Sequence, residues 1–290
     1  MEKIKLITDT ACDIPKDAAE KLGIQVLSIP ITIGDQGYME GQDFTNEEFY
    51  NILLESKTVP CTSHIPAPMF REIFEQAYND GFNRIICTTI NSKGSSMFQA
   101  ATLAANAFAE EHAGDDVKIC VLDSKTYTMA YGLPLMTAAQ SILDGACYDK
   151  VVADLKTAFN SMEIAFTIFN LDFAKKSGRV SAAAALVGGV LGLRPLLAFV
   201  DGDNKIAGKY RGDKTAINEM IKYTLERIPD KSKPYCVAHG MEADAAREVA
   251  EILTAELGHP PVCIYPVGAS IAINAGPKLV GIIFEGENKA

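Results

Sequence analysis

The sequence has no excess of positive charge. Its 290 residues hold 27 Lys+Arg against 37 Asp+Glu, a formal net charge of −10. Sequence-independent nucleic-acid binding needs basic side chains to displace counterions, and electrostatic membrane anchoring needs a basic cluster. Neither suits this balance. The chain also lacks any CxxC pair. Its seven cysteines (Cys12, Cys61, Cys87, Cys120, Cys147, Cys236, Cys263) are odd in number and scattered, which argues against a disulfide framework and for a reducing, cytoplasmic setting. Cys87, Cys120, Cys236 and Cys263 lie in apolar runs, where cysteine acts as a small hydrophobe. No signal peptide is visible, because the chain opens directly into the strand-like Ile4-Lys5-Leu6-Ile7-Thr8.

Other absences narrow the chemistry. There is no GxxxxG followed by Lys and Ser/Thr and no GxGxxG, so the chain lacks the usual nucleotide-binding loops. No GxSxG elbow or Ser-His-Asp pattern is present. Cys61 with His64 has no third or fourth ligand at useful spacing; neither a metal nor a cofactor is expected. Residues 180–200 are mostly apolar, but Arg194 and Pro195 leave only 180–193 uncharged, shorter than the ~20 residues of a spanning helix. They read as a buried helix over 182–191 and a buried strand over 196–199, without membrane insertion.

What is present is the composition of a folded protein, 48% hydrophobic and 22% charged. Short β-branched runs alternate with segments of helical period, which predicts an α/β fold. Strands are predicted at 4–8, 26–33, 84–90, 118–122, 165–168, 196–199, 235–239, 262–265 and 280–284. Pro30 would make the second an edge strand at best. Helices are predicted at 46–55, 66–79, 96–111, 126–143, 149–160, 182–191, 213–226 and 242–257, and residues 201–204 read as a tight hairpin turn. At roughly 100–200 residues per domain the length suggests one large domain or two. The division is placed at 1–155 and 156–290.

Six constellations hold candidate chemistry. Asp9, in Thr8-Asp9-Thr10-Ala11-Cys12-Asp13, sits at the end of a first strand, where α/β proteins bind ligands; it could act as a base, or with Asp13 simply cap a turn. Thr62-Ser63-His64 precedes a proline-marked helix start, and Asn91-Ser92-Lys93-Gly94-Ser95-Ser96 links a strand to an Ala-rich helix. Both offer hydroxyls and backbone N–H groups to an anion, or serve as ordinary caps. Arg179, in Lys175-Lys176-Ser177-Gly178-Arg179, could pair with an anion or be a solvated loop residue. Lys209-Tyr210-Arg211-Gly212-Asp213-Lys214 is a small basic cluster. His239 closes a strand in Ala238-His239-Gly240.

Taken in order, these pieces resemble the DegV family. Thr8-Asp9-Thr10 through Asp13-Ile14-Pro15 is similar to its TDSxxDLP signature. Thr62-Ser63-His64, with Phe70, is similar to its TSQ segment. Ser92, Ser95, Phe98, Gln99 and Ala101 follow its SSxLSGTYQSA loop, and Asp123-Ser124 through Gly132 its DSxxxSxGxG segment. Ser177-Gly178-Arg179-Val180-Ser181 with Arg194-Pro195, the run Lys209, Arg211-Gly212, Lys214, then Ala238-His239-Gly240 and Gly276-Pro277 fall in the family's order. The resemblance covers nearly the whole chain. It implies two α/β domains with a long-chain fatty acid buried between them. The protein would be no enzyme itself; it would present the acyl carboxylate to a separate ATP-dependent kinase that forms an acyl phosphate, feeding lipid metabolism. The head group would be held by Thr62 and Ser95, with Ser63 and Asn274 beside them. Arg179 and Arg211 would face the kinase or the developing phosphate.

The sequence departs from the pattern at four positions. Ser96 replaces a glycine and Met97 a threonine in the loop. His64 replaces a glutamine. Asn274 stands where a histidine usually reaches the head group; asparagine can donate a hydrogen bond but cannot carry charge or shuttle a proton. An alternative from a different class is an enzyme acting on a small anionic phosphate or acyl ester through Asp9, His239 and the Ser95 loop.

Overall fold

The computed structural model describes residues 2–56, 58, 60–180, 192–200 and 202–287. The expected helix at 182–191 lies outside the described residues, as does Asp201 of the expected hairpin turn. Strands and helices alternate through the rest, and the fold is mixed α/β.

The first sheet is four-stranded and parallel. β1 (Ile4–Asp9) lies between β2 (Ile24–Leu27) and β6 (Arg84–Thr89), and β7 (Lys118–Asp123) flanks β6. A small antiparallel sheet joins β3 (Pro30–Ile33), β4 (Gln36–Met39) and β5 (Cys61–Thr62), with β3 in the middle. The single strand expected at 26–33 is therefore two strands in two sheets. Pro30 is the first residue of β3, where a missing N–H is tolerated even in a central strand. Helix α1 (Lys16–Leu22) follows the first strand, and α2 (Asn46–Glu55) begins in a full capping box between Thr45 and Glu48. Helix α3 (Ala67–Asn79) packs on α4 (Met97–Glu111), while α5 (Met129–Leu143) packs on α1 and on α6 (Tyr148–Ser161).

The second sheet has six strands. In spatial order they are β10 (Asp203–Arg211), β9 (Leu193–Val200), β8 (Met162–Ile168), β13 (Leu279–Glu285), β11 (Cys236–His239) and β12 (Ile264–Pro266). All neighbours are antiparallel except β11 and β12. Strand side chains alternate between faces, and here the alternation divides two apolar regions. Ile164, Phe166, Leu197, Phe199, Ala238, Leu279 and Ile283 face the core shared with the first sheet. Ala165, Leu196, Val237, Val280, Ile282 and Phe284 face a second core built with α8 (Asp213–Arg227) and α9 (Ala243–Leu257). Near-continuous apolar runs such as 279–284 follow from this burial on both sides. The sequence missed α1, α7 (Asp172–Ser177) and α10 (Ala269–Ala275); each is six or seven residues long, too short to show a helical period.

Gly240 is fixed by packing. A Cβ on Gly240 would sit 2.0 Å from the Pro277 carbonyl oxygen, because Gly240 and Met241 donate to the carbonyls of Leu279 and Pro277 at 2.9 and 2.8 Å. Backbone cannot rotate away as a side chain can. Gly240→Ala is expected to destabilise the protein by about 1–3 kcal/mol in urea unfolding. Gly37→Ala, with nothing within 4 Å of its would-be Cβ, is expected to stay within about 0.5 kcal/mol of the parent. Equal midpoints for the two variants would contradict the packing argument.

Candidate ligand-binding site

β1, β6 and β7 run parallel, so their carboxyl ends lie at one edge of the first sheet, and the loops that follow them carry several of the polar residues singled out above. Asp9 ends β1 and is completely buried. Its Oδ1 accepts hydrogen bonds from the Tyr131 hydroxyl at 2.6 Å and the Ala11 N–H at 3.2 Å, and its Oδ2 accepts from the Ile90 N–H at 2.9 Å. Asp9 thereby ties β1, the loop after β6 and helix α5 together. Burial pushes its carboxyl up to about 6, against the pull of these donors.

The loop after β6 is held from below in the same manner. The Asp123 carboxylate accepts from the Ser92 hydroxyl at 2.5 Å, the Ser92 N–H at 3.0 Å and the Lys125 N–H at 2.9 Å. The Ser95 hydroxyl oxygen accepts the Met97 N–H at 3.2 Å, leaving its own O–H free to donate. Met97 is an apolar strut at the start of α4: it is buried, and its sulfur accepts the Ile65 N–H at 3.3 Å. The Thr62-Ser63-His64 segment is thus seated against the start of α4. On its other side the Ser63 N–H donates to the Pro30 carbonyl at 2.9 Å.

A third group comes from the other half of the chain. The Arg179 guanidinium bridges the loop after β6 and helix α10 (Ala269–Ala275), donating to the Gly94 carbonyl at 3.2 Å and the Asn274 Oδ1 at 3.4 Å. Asn274 in turn donates to the Ser270 carbonyl at 2.7 Å. Helix α10, which carries Ser270 and Asn274, is anchored by two carboxylates, Glu40 buried and Asp13 half-buried. Glu40 accepts from the Ser270 N–H at 2.7 Å, the Ser270 hydroxyl at 2.5 Å and the Thr10 hydroxyl at 2.6 Å. Asp13, in the left-handed region at φ 54°, accepts from the Gly268 N–H at 2.8 Å and the Thr128 hydroxyl at 2.6 Å. Burial raises both carboxyl pKa values.

Between these loops and the second sheet lies a cavity of about 890 Å³, within the range of about 300–1,000 Å³ typical of small-molecule sites. Thr62, Ser63, His64, Ser95 and Asn274 contribute to its polar wall together with Arg179 and Tyr127; Ile164, Phe166, Phe199, Ala238, Leu279 and Gly281 give it an apolar floor. The floor is one face of the second sheet. Phe166 pairs across to Gly281, and Gly281 to Ala238, so two small residues beside one aromatic leave a trough.

The cavity brings together Thr62, Ser63, Ser95, Asn274 and Arg179 of the expected site. Arg211, exposed at the end of β10, is not part of its lining. Neither are Asp9 and His239. Asp9 lies beneath the loop with its oxygens engaged, and His239 Nδ1 is 2.6 Å from the Gly240 carbonyl oxygen. Glu40, Ser270 and Tyr127 were not foreseen. Glu40 sits alone after a hairpin, and nothing local marks it; Tyr127 lies inside the recognised segment 123–132 and could have been singled out. Among the described residues no group of three His, Cys, Asp or Glu side chains is placed to hold a metal, and no helix is long and apolar enough to cross a membrane.

These features agree with comparisons to known proteins. The family model described as "Uncharacterised protein, DegV family" matches residues 3–287, and the chain belongs to that family. It is similar to a DegV domain-containing protein of Clostridium perfringens, 31% identical over 98% of this chain and 99% of the relative. Among solved structures it is similar to a stearic-acid-binding protein from Eubacterium ventriosum, at 25% identity and a TM-score of 0.87, covering 98% of each chain. It is also similar to a DegV family protein from Thermus thermophilus studied for fatty acid binding, at 25% identity and a TM-score of 0.85, covering 98% of this chain and 100% of the other.

The buried Asp9 gives a pH prediction with a definite sign. Its carboxyl titrates near 6 when folded and near about 3.9 when unfolded, so the folded state binds the proton more tightly. That stabilisation is fully present below about pH 4 and is lost as the pH rises through about 6, on the order of 3 kcal/mol in all. In Asp9→Asn, unfolding free energy measured by urea titration is expected to fall less between pH 4.5 and 7 than in the parent. Identical slopes would rule out this account of Asp9.

Proposed function

We propose that the protein is a cytoplasmic carrier of one long-chain fatty acid, which lies in the cavity with its acyl chain on the sheet floor and its carboxylate toward Thr62 and Ser95. The carrying observation is the pairing of an apolar trough with a wall of hydroxyl, amide and guanidinium donors in one cavity. A chain of ~14 methylenes at ~0.8 kcal/mol each gives on the order of 11 kcal/mol of apolar transfer, offset in part by the ordering of the chain. The floor supplies most of the affinity in this reading. The Thr62, Ser63 and Ser95 hydroxyls and the second N–H of Asn274 fix orientation.

In the same reading the ligand lies between an N-terminal part, residues 1–155, and a C-terminal part, 156–290. The protein needs no nucleophile of its own. It presents the carboxylate to a separate ATP-dependent kinase, and the acyl phosphate formed there feeds lipid metabolism. Arg179, exposed beside the Ser95 loop, suits a contact with the kinase or the developing phosphate, and Arg211 would extend that surface. The relatives described as fatty-acid-binding proteins support the ligand class.

The direct test is native mass spectrometry of the purified protein followed by solvent extraction. One fatty acid per chain is expected; a chain that takes up no fatty acid even when supplied with it would overturn the reading. Changing Thr62 and Ser95 together to alanine removes two donors to a carboxylate and is expected to weaken retention on the order of 100-fold, measured by fluorescent fatty-acid displacement. Ala238→Phe, which fills the trough, should abolish binding while the fold is kept by circular dichroism. Unchanged affinity in that variant would place the acyl chain elsewhere.

A further inference from the structure

Two of the seven cysteines are neighbours. Strands β11 and β12 run parallel with Val237 opposite Ile264 and Ala238 opposite Tyr265, which places Cys236 opposite Cys263 one step earlier. The Val237 N–H donates to the Cys263 carbonyl at 3.1 Å, fixing that register. Alternation turns Cys236 and Ala238 to one face of the sheet, and Cys263 and Tyr265 to the same face. Both cysteines pack against the core that contains the cavity. The two thiols face each other across the strand pair, and their interaction raises the pKa of Cys236 and lowers that of Cys263. Cys236 is fully buried, whereas Cys263 is only partly covered on the outermost strand.

We infer that Cys236 and Cys263 form a dithiol that a small hydroperoxide oxidises reversibly to a disulfide. Directly opposed residues on neighbouring strands lie close to the Cα separation of about 4.4–6.8 Å that a disulfide spans. β12 has three residues and one strand neighbour, so it can adjust to the bond more readily than a central strand. Contact with Cys236 lowers the pKa of Cys263, which favours its thiolate, the reactive form of a thiol, and Cys263 is also the member a peroxide can reach.

The chemistry balances with the hydroperoxide as the sole oxidant. The Cys263 thiolate attacks the terminal oxygen, the O–O bond breaks, and the leaving alkoxide takes a proton to become an alcohol, or water from hydrogen peroxide. Cys263 is then a sulfenic acid. The Cys236 sulfur attacks it, the S–O bond breaks, and hydroxide leaves as water with the proton from Cys236. Two thiols and one peroxide give one disulfide, one alcohol and one water. The bond would fasten β12 to β11 two residues before Tyr265, whose hydroxyl lies 2.6 Å from that of Thr128, and five before Gly268, whose N–H donates to Asp13.

The full-length protein treated with one equivalent of hydrogen peroxide tests this. The expected result is an intact mass lower by about 2 Da, a proteolytic fragment joining Cys236 to Cys263, and recovery of the starting mass with dithiothreitol. In Cys263→Ser the loss is expected to vanish, and in Cys236→Ser the sulfenic acid on Cys263 should be trapped by a dione reagent. The wild-type fragment map decides the question even if a variant does not fold. Oxidation confined to other cysteines, no oxidation at all, or a 2 Da loss that persists in Cys263→Ser would each overturn the inference.

Discussion

The cavity depends on two carboxylates that each hold a group more than two hundred residues away in the chain. Glu40 holds both polar groups of Ser270, and Asp13 holds the N–H of Gly268. Helix α10 has only seven residues, too few to be stable by itself. Its place is set instead by hydrogen bonds to acceptors that burial keeps from water, where an unmade bond is costly. Asn274 is on that helix, and Arg179 is bonded to Asn274. The polar wall of the cavity is therefore assembled through contacts between the first hairpin region and the C-terminal quarter of the molecule.

The same arrangement separates two kinds of specificity. The sheet floor is apolar and non-directional, so it rewards buried length more than a particular pattern of atoms. The wall is made of hydroxyls and amides held by second partners: Ser92 by Asp123, Ser95 by the Met97 N–H, Asn274 by Ser270 and Arg179. Groups already held in place lose little freedom when a ligand arrives, which lowers the cost of binding.

Much of this was legible in the sequence, and the exceptions have physical causes. Long helices with strong periodicity, such as 67–79 and 243–257, and buried strands such as 84–89 read well because length and pattern agree. The 24–33 region did not, because two four-residue strands share an apolar run and only their pairing partners tell them apart. The short helix at 269–275 is fixed by distant carboxylates that leave no local trace. Thr62, Ser63, Ser95, Arg179 and Asn274, which line the cavity, were singled out through motif resemblance, since each lies in or beside a recognisable segment. Asp9 and His239 looked equally chemical but lie outside the cavity lining. Strand-end position suggests a ligand, yet it does not say whether a side chain points into the cavity or into the packing beneath it. The neighbourhood of Cys236 and Cys263 could not be read either, because it follows from strand order.

The order of strands in the second sheet bears on how the protein is made. β13, residues 279–285, is the most C-terminal strand described, yet it lies inside the sheet between β8 and β11. A nascent chain emerging from the ribosome can form the first sheet early and can pair β8 with β9, but it cannot seat β13 between β8 and β11 until residue 285 has been translated. The trough that includes Gly281 and Leu279 is consequently a late product of synthesis. Until then, the apolar faces of β8 and β11 have no partner strand between them, and in that interval the growing chain is most open to self-association and to chaperones.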